Sequence, residues 1–481
     1  MDTALEMRPR LPGVAATDRW ARLVPWLPAI GAIVLPIGVA AFLVHPKLGA
    51  LALGGLLAPL LVVSPPHALL LLIAALPVDA VASLGPPGTA TLTRLLGFAV
   101  MGGWVVHVLL YRERIRLGAP GLWLLAYIAY SAISLLWTQD REAGLSTLRL
   151  LVQLFALYVM VVNLLTSWEA IERALDVLLV SSTAVALLAL WQLPALGLED
   201  ARVTLKVGEE AFNPNQLAAA LVLPIFPGLV LGRGSRGWWR ACAVVPLFVA
   251  ALVTGSRGAM VAIAAGALVL VFARPRTALR LVPAALVIVL ATVALVPRDR
   301  LLLIGDRYEQ MMQDRASGRL DIWKVGAEMF EDQPLRGVGL AGFQGSFYRY
   351  MTGVELDPRW AREWRNRYGQ RGAHNVYLQA LAELGVVGAA LLLAAIVSHG
   401  RAVWSAFRRA GAAWRPHAAA VALAVACTFA VLLVLCANRD LLIVKSAWVV
   451  FGFAQAAALV GAGMRRTIPY RHPEPVRRMV A

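Results

Sequence analysis

The chain alternates long apolar runs with short polar connections. Apolar stretches lie at roughly 26–44, 48–63, 66–84, 94–110, 120–137, 147–166, 174–193, 215–232, 241–254, 258–273, 281–297, 376–398, 417–437 and 441–464. A helix of about 20 apolar residues crosses the ~30 Å hydrocarbon core of a bilayer, so the pattern predicts an all-α polytopic integral membrane protein with about 12–14 transmembrane helices. Around Gly255-Ser256-Arg257-Gly258 the sequence fits either two short helices or one re-entrant hairpin. The pattern breaks once, over 298–375, where a long polar segment separates the helices of 1–297 from a C-terminal group over 376–464. A basic tail, 465–481, closes the chain.

Composition supports this reading. Of 481 residues, 59% are hydrophobic and only 15% charged, and the mean hydropathy is +0.70. Soluble domains are near half apolar and a quarter charged, so an ordinary soluble enzyme is excluded, as are disordered and collagen-like chains. Cys242, Cys427 and Cys436 all fall in apolar stretches without paired spacing, which reads as core packing and not as a disulfide or metal framework.

The net charge of +17 would suggest nucleic acid on a soluble protein. Here its distribution gives topology instead. Arg112, Arg114 and Arg116, then Arg233, Arg236 and Arg240, then Arg274, Arg276 and Arg280, and finally Arg401, Arg408, Arg409 and Arg415 fall in alternate connections, and the intervening short loops are poor in Lys and Arg. The positive-inside rule then expects both termini in the cytoplasm and 298–375 outside it.

That external segment carries 13 basic residues, which long loops tolerate. Its length predicts a folded helical cap. Trp323, Ala327 and Phe330 recur at helical spacing after Gly318-Arg319, and Pro334 ends the run. The glycine-rich Gly337–Phe343 turn lacks the strand before it that a nucleotide-binding loop requires. A second helical piece places Trp360 and Trp364 one turn apart among Arg359, Arg362, Arg365 and Arg367.

Candidate chemistry gathers at the external surface. His374 is the one histidine of the long loop, at the point where the chain re-enters the membrane. It can act as a general base near neutral pH, or simply cap a helix. Arg257 lies in a tight external turn and Arg319 opens the amphipathic cap helix. Guanidinium forks suit phosphate oxygens, although a lone arginine more often anchors a helix end to headgroups. Arg149 sits just inside the external end of its span, an expensive position for a charge without a ligand. Asp440 and Lys445 are similarly placed and fit a pair with each other. Glu383 falls two and a half turns below His374 in the same span, either orienting other groups or bonding within the bundle, and Asn213-Pro214-Asn215 opens another span as cap or ligand contact. The basic Trp360–Arg371 stretch suits an acceptor's phosphates or rests on anionic lipid.

The run His374-Asn375-Val376-Tyr377-Leu378, with Glu383-Leu384-Gly385 and Gly388 after it, resembles the signature of the O-antigen ligase and polymerase superfamily. Asn213-Pro214-Asn215 with Leu217-Ala218, Gly255-Ser256-Arg257-Gly258, and Gly318-Arg319 leading into Pro334-Leu335-Arg336-Gly337-Val338-Gly339 agree with it in order. The similarity covers roughly 200–395. It implies an inner-membrane glycosyltransferase that moves a glycan from undecaprenyl diphosphate to an acceptor on the periplasmic side, without metal or other cofactor. By motif match it implies His374, Arg257 and Arg319 as the essential residues. Beside these, the positions of Arg149, Asn215, Asn375, Arg371 and Glu383 make them the candidate substrate contacts. A lipid A-core acceptor, hence a ligase, is the first expectation. Polymerase and protein O-oligosaccharyltransferase are the near rivals, and a lipid or glycan transporter the distant one.

Overall fold

The computed structural model describes residues 64–78, 92–193, 206–207, 210–211, 213–232, 237–279, 318–366 and 372–463, with a few isolated positions besides. The spans expected at 26–44, 48–63 and 281–297, and Arg371, lie outside the described residues. Among the described residues the regular elements are helices apart from a two-residue antiparallel ladder, β1 (Lys206–Val207) with β2 (Glu210–Ala211), which the apolar pattern did not predict. Six described helices are long and apolar enough to cross a membrane, and five apolar helices are shorter, so the protein is an all-α, multi-pass membrane protein.

The described residues fall into two compact units. The first holds 64–68 and 92–113, with the start of α1 (Pro65–Ala75) and all of α2 (Leu92–Tyr111). The second holds 69–78 and 114–463 and carries every candidate site residue that is described. Its helices are α3 (Ala119–Ser134), α4 (Arg141–Leu164), α5 (Trp168–Gln192), α6 (Pro214–Val222), α7 (Ile225–Leu231), α8 (Trp238–Val253), α9 (Arg257–Ala273) and α10 (Pro275–Leu279). The cap contributes α11 (Arg319–Asp332), α12 (Gly342–Met351) and α13 (Pro358–Asn366), and the C-terminal group α14 (Val376–Ala412), α15 (Pro416–Cys436) and α16 (Lys445–Gly461).

α15 is the central pillar. It is apolar on every side, and 78% of its best window is buried, as expected of a helix with no polar face. Alanines along it let α9 and α14 approach closely. The stretch 254–256 is a tight turn between two separate helices, α8 and α9. The run 215–232 is one span interrupted at Leu223-Pro224. Proline at 224 and 227 removes the donors that would serve the carbonyls of Ala220 and Leu223. Those carbonyls take hydrogen bonds from Ser182 Oγ at 3.4 Å and Thr428 Oγ1 at 3.2 Å, as backbone freed at membrane depth requires.

The run expected at 376–398 is a longer helix, broken near its N-terminal end. Gly385 has φ 62° and ψ −165°, outside helical space. The freed backbone groups pair with the segment after α11: Val338 N–H donates to Ala382 O at 2.9 Å, Gly339 N–H to Glu383 O at 2.8 Å, and Val386 N–H to Pro334 O at 2.8 Å. The glycine-rich turn is therefore a backbone clasp on α14. A Cβ on Gly385 would stand 2.4 Å from the Leu335 carbonyl, and one on Gly337 2.3 Å from the Glu383 backbone. Leu340 completes the clasp, donating to Ser134 Oγ and accepting from Thr138 Oγ1, both at 3.0 Å.

Gly385→Ala is expected to lower the thermal midpoint of the detergent-solubilised protein. The left-handed conformation alone costs roughly 1–3 kcal/mol, and the backbone collision adds to it. Gly102→Ala, with nothing within 4 Å, is the control and should leave the melting curve unchanged.

Candidate functional site

The site is built where the starts of α9, α11 and α14 meet the loop between α15 and α16 at one end of the second unit. Arg257 is the first residue of α9 and Arg319 the first of α11, while His374 precedes the N-cap of α14. A cation at a helix N-terminus opposes the helix dipole. Two guanidiniums and two helix starts that favour negative charge therefore face the same region, an arrangement that suits an anion.

The His374 turn is held from three sides. Ala373 is fully buried, and its carbonyl accepts from Trp323 Nε1 of α11 at 3.1 Å. The Asn375 side chain caps α14, accepting from Tyr377 N–H at 3.0 Å and Leu378 N–H at 3.2 Å. The Asp440 carboxylate, from the loop between α15 and α16, accepts from the backbone N–H groups of His374 and Asn375. His374 itself sits at φ 48°, a conformation that a non-glycine residue keeps only where its surroundings enforce it. Its ring projects outward, with the side chain 51% exposed, and Nδ1 lies 3.6 Å from Asp440 Oδ2. That separation is in ion-pair range and beyond hydrogen-bond length. A proton on Nδ1 leaves Nε2 as the acceptor.

The electrostatics are lopsided. Burial and the charge of Arg257 lower the Arg319 pKa, with Asp440 opposing. Burial pushes the Arg439 guanidinium down to about 10, with Asp440 opposing and Arg319 adding to the shift. Burial holds the Asp440 carboxyl above the ordinary range, although His374, Arg439 and the two N–H groups favour its ionised form. Asn438 ties this loop to the Arg257 turn, since a Cβ on Gly258 would meet the Asn438 side chain at 3.0 Å.

The sequence-derived candidates divide. Arg257, Arg319 and His374 converge. Glu383 is buried and anchors the cap: Oε2 accepts from Ala341 N–H at 3.1 Å and Oε1 from Phe343 N–H at 3.3 Å, so it caps α12, whose own N-cap residue does not. Gln379 Nε2 adds a third bond at 3.2 Å. Asn375 Oδ1 serves the α14 cap described above. Asn215 lies in the first turn of α6, which packs beside α9 and starts from the same end, and its N–H donates to Asn213 Oδ1 at 2.9 Å. Arg149 is exposed on the third turn of α4 and is not among the charges that act on Arg319, Arg439 or Asp440. Arg362 of α13 is exposed, while Trp364 is buried against Phe347. Arg439 and Asp440 were not singled out by sequence as part of the site. The expected Asp440–Lys445 pair gives way to Asp440 facing His374 and Arg439.

Two variants test these roles. Glu383→Ala strands the Ala341 and Phe343 N–H groups, at about 1–3 kcal/mol each. Limited proteolysis is expected to cut the 334–366 region faster than in the wild type. For Asp440, a folded-state pKa raised above the unfolded value means that stability is greatest when the group is protonated and declines as pH rises through the folded value. Its Oδ1 is buried without a hydrogen-bond partner, so an amide nitrogen fits there. Asp440→Asn is expected to melt no lower than the wild type at pH 7, with any advantage shrinking as the pH is made acidic, while losing activity. A lower melting point at pH 7 would make Asp440 a structural anchor alone.

No curated protein matches the chain at a significant level. The family model described as O-Antigen ligase matches residues 242–393, from the first turns of α8 through the broken part of α14. This segment holds Arg257, Arg319, His374 and Glu383, while Arg439 and Asp440 lie beyond it. By that match, residues 242–393 of this multi-pass membrane protein are similar to the O-antigen ligase family.

Proposed function

We propose that the protein transfers a glycan from undecaprenyl diphosphate to a lipid A-core acceptor, at the periplasmic face of a bacterial inner membrane. The observation that carries this reading is the convergence of Arg257 and Arg319, each opening a helix, beside the His374–Asp440 pair. The two guanidiniums hold the diphosphate and offset the charge that develops as it leaves. His374 Nε2 takes the proton of the acceptor hydroxyl, whose oxygen attacks the anomeric carbon. The electron pair of the glycosyl–oxygen bond departs with the lipid diphosphate, giving one displacement with inversion. Asp440 holds the imidazole in the required tautomer and pairs with the imidazolium that forms. The energy for the new bond resides in the glycan–diphosphate link, and no metal or other cofactor takes part.

The Arg240–Glu172–Asp176–His417 cluster lies at the opposite ends of these helices, and the arginine distribution in the short loops supports taking that end as the cytoplasmic one. The basic stretch Trp360–Arg371 is assigned to acceptor phosphates. A transporter reading is disfavoured because these groups gather at one end and not at mid-membrane.

The test is a reconstituted transfer assay with an undecaprenyl-diphosphate glycan and purified lipid A-core, without added metal or nucleotide. Wild type is expected to place glycan on the lipid A-core. His374→Ala should slow transfer by about a hundred- to ten-thousand-fold with an unchanged melting curve, and Arg257→Lys should weaken it because a point charge does not replace a fork. A lengthened donor would instead identify a polymerase. Full activity of His374→Ala would overturn the general-base assignment.

A further inference from the structure

The loop Asn438-Arg439-Asp440 is threaded between the two halves of the site. Asn438 abuts Gly258, next to Arg257, and Asp440 faces His374 at 3.6 Å. Arg439 lies between them in sequence, its charge acts on Asp440, and the charges of Arg319 and Asp440 act on it. Its Nη1 is buried and has no hydrogen-bond partner among the described residues. Burying a guanidinium nitrogen without an acceptor is costly. It persists where a ligand supplies the acceptor.

Building on the lipid-diphosphate reading above, we infer that Arg439 is a third substrate-binding cation, and that it makes the site select a lipid diphosphate over a lipid monophosphate. The charge count supports this. A lipid–diphosphate–glycan carries two ionised oxygens, which Arg257 and Arg319 match. Breaking the glycosyl–oxygen bond leaves a third negative oxygen on the departing lipid diphosphate. In the same step the acceptor's proton moves to His374, and Asp440 acquires an imidazolium partner. Asp440 is then satisfied by His374, and Arg439 is left to the new phosphate charge. The position suits that exchange, because Asp440 lies under the influence of both cations in the resting site.

The experiment measures binding of farnesyl diphosphate and farnesyl monophosphate to the purified full-length protein in nanodiscs by titration calorimetry. It compares wild type, Arg439→Gln, Arg439→Lys and Arg319→Gln, each checked for a wild-type melting curve. Wild type should prefer the diphosphate. Arg439→Gln should lose about tenfold or more in diphosphate affinity, as expected for a lost hydrogen bond between charged groups, while monophosphate affinity changes less than about threefold. Arg439→Lys should fall between, and it carries the comparison if the glutamine variant does not fold. Unchanged diphosphate binding in the Arg439 variants, with weakened binding in Arg319→Gln, would overturn the third cation alone. Unchanged binding in every variant would overturn the lipid-diphosphate reading as well.

Discussion

The break at Gly385 in α14 is the constraint on which the site depends. Freed carbonyl and N–H groups at this depth have no water to turn to, so they must find partners within the protein. The Pro334–Gly339 segment provides them, which draws the end of α11 and the start of α12 down against the bundle. Once this clasp is made, Glu383 is placed two residues before the break with its carboxylate under the α12 N-terminus. α11 then lies where Trp323 reaches the Ala373 carbonyl. Arg319 and His374, 55 residues apart in sequence, are brought to one place by backbone bonding that touches neither side chain.

This explains why glycines cluster in the motif without binding a nucleotide. At 337 and 385 the backbones of two segments approach so closely that a single carbon would collide with the partner chain, and both residues have positive φ. Their role is mechanical. Gly318, at φ 77°, serves the second attachment, turning the chain into α11 beneath the rings of Trp360 and Trp364.

The apolar runs made the membrane-spanning architecture legible, because a bilayer imposes helix length and composition directly. The helix after Gly318-Arg319 and its stop at Pro334 were also legible from local spacing. α12 was not, since its apolar face is short and its N-terminus is capped by a residue 41 positions beyond its first. The same limit applies at the site. Arg257, Arg319 and His374 stood out through motif resemblance, but Glu383 and Asn375 read equally as ligands or as structural groups. Only the hydrogen bonds they make distinguish these roles. Asp440 resisted for a different reason: nothing local indicates that its partner is His374, 66 positions earlier, and not the nearby Lys445. The available signal was the density of polar residues in Asn438-Arg439-Asp440, between two apolar helices.

A comparison within the molecule separates structural from functional arginine. Arg240, part-buried near the start of α8, has two carboxylates in contact, Asp176 at 2.6 Å and Glu172 at 2.8 Å, with His417 bonded to the far oxygen of Glu172. That network ties α5, α8 and α15 together and gives the Arg240 guanidinium two carboxylate partners, as a part-buried cation retained for structure requires. At the other end the ratio reverses. Asp440 is the one acidic group whose charge acts on Arg319 and Arg439 among the described residues, and Arg257 adds to the excess. A fold gains nothing from collecting like charges at helix N-termini in a low-dielectric environment, where both the dipoles and the mutual repulsion oppose them. The same chain pairs its arginine fully where only stability is at stake. Under the proposed function, the positive charge gathered at the other end is complementary to the anion that arrives with the substrate.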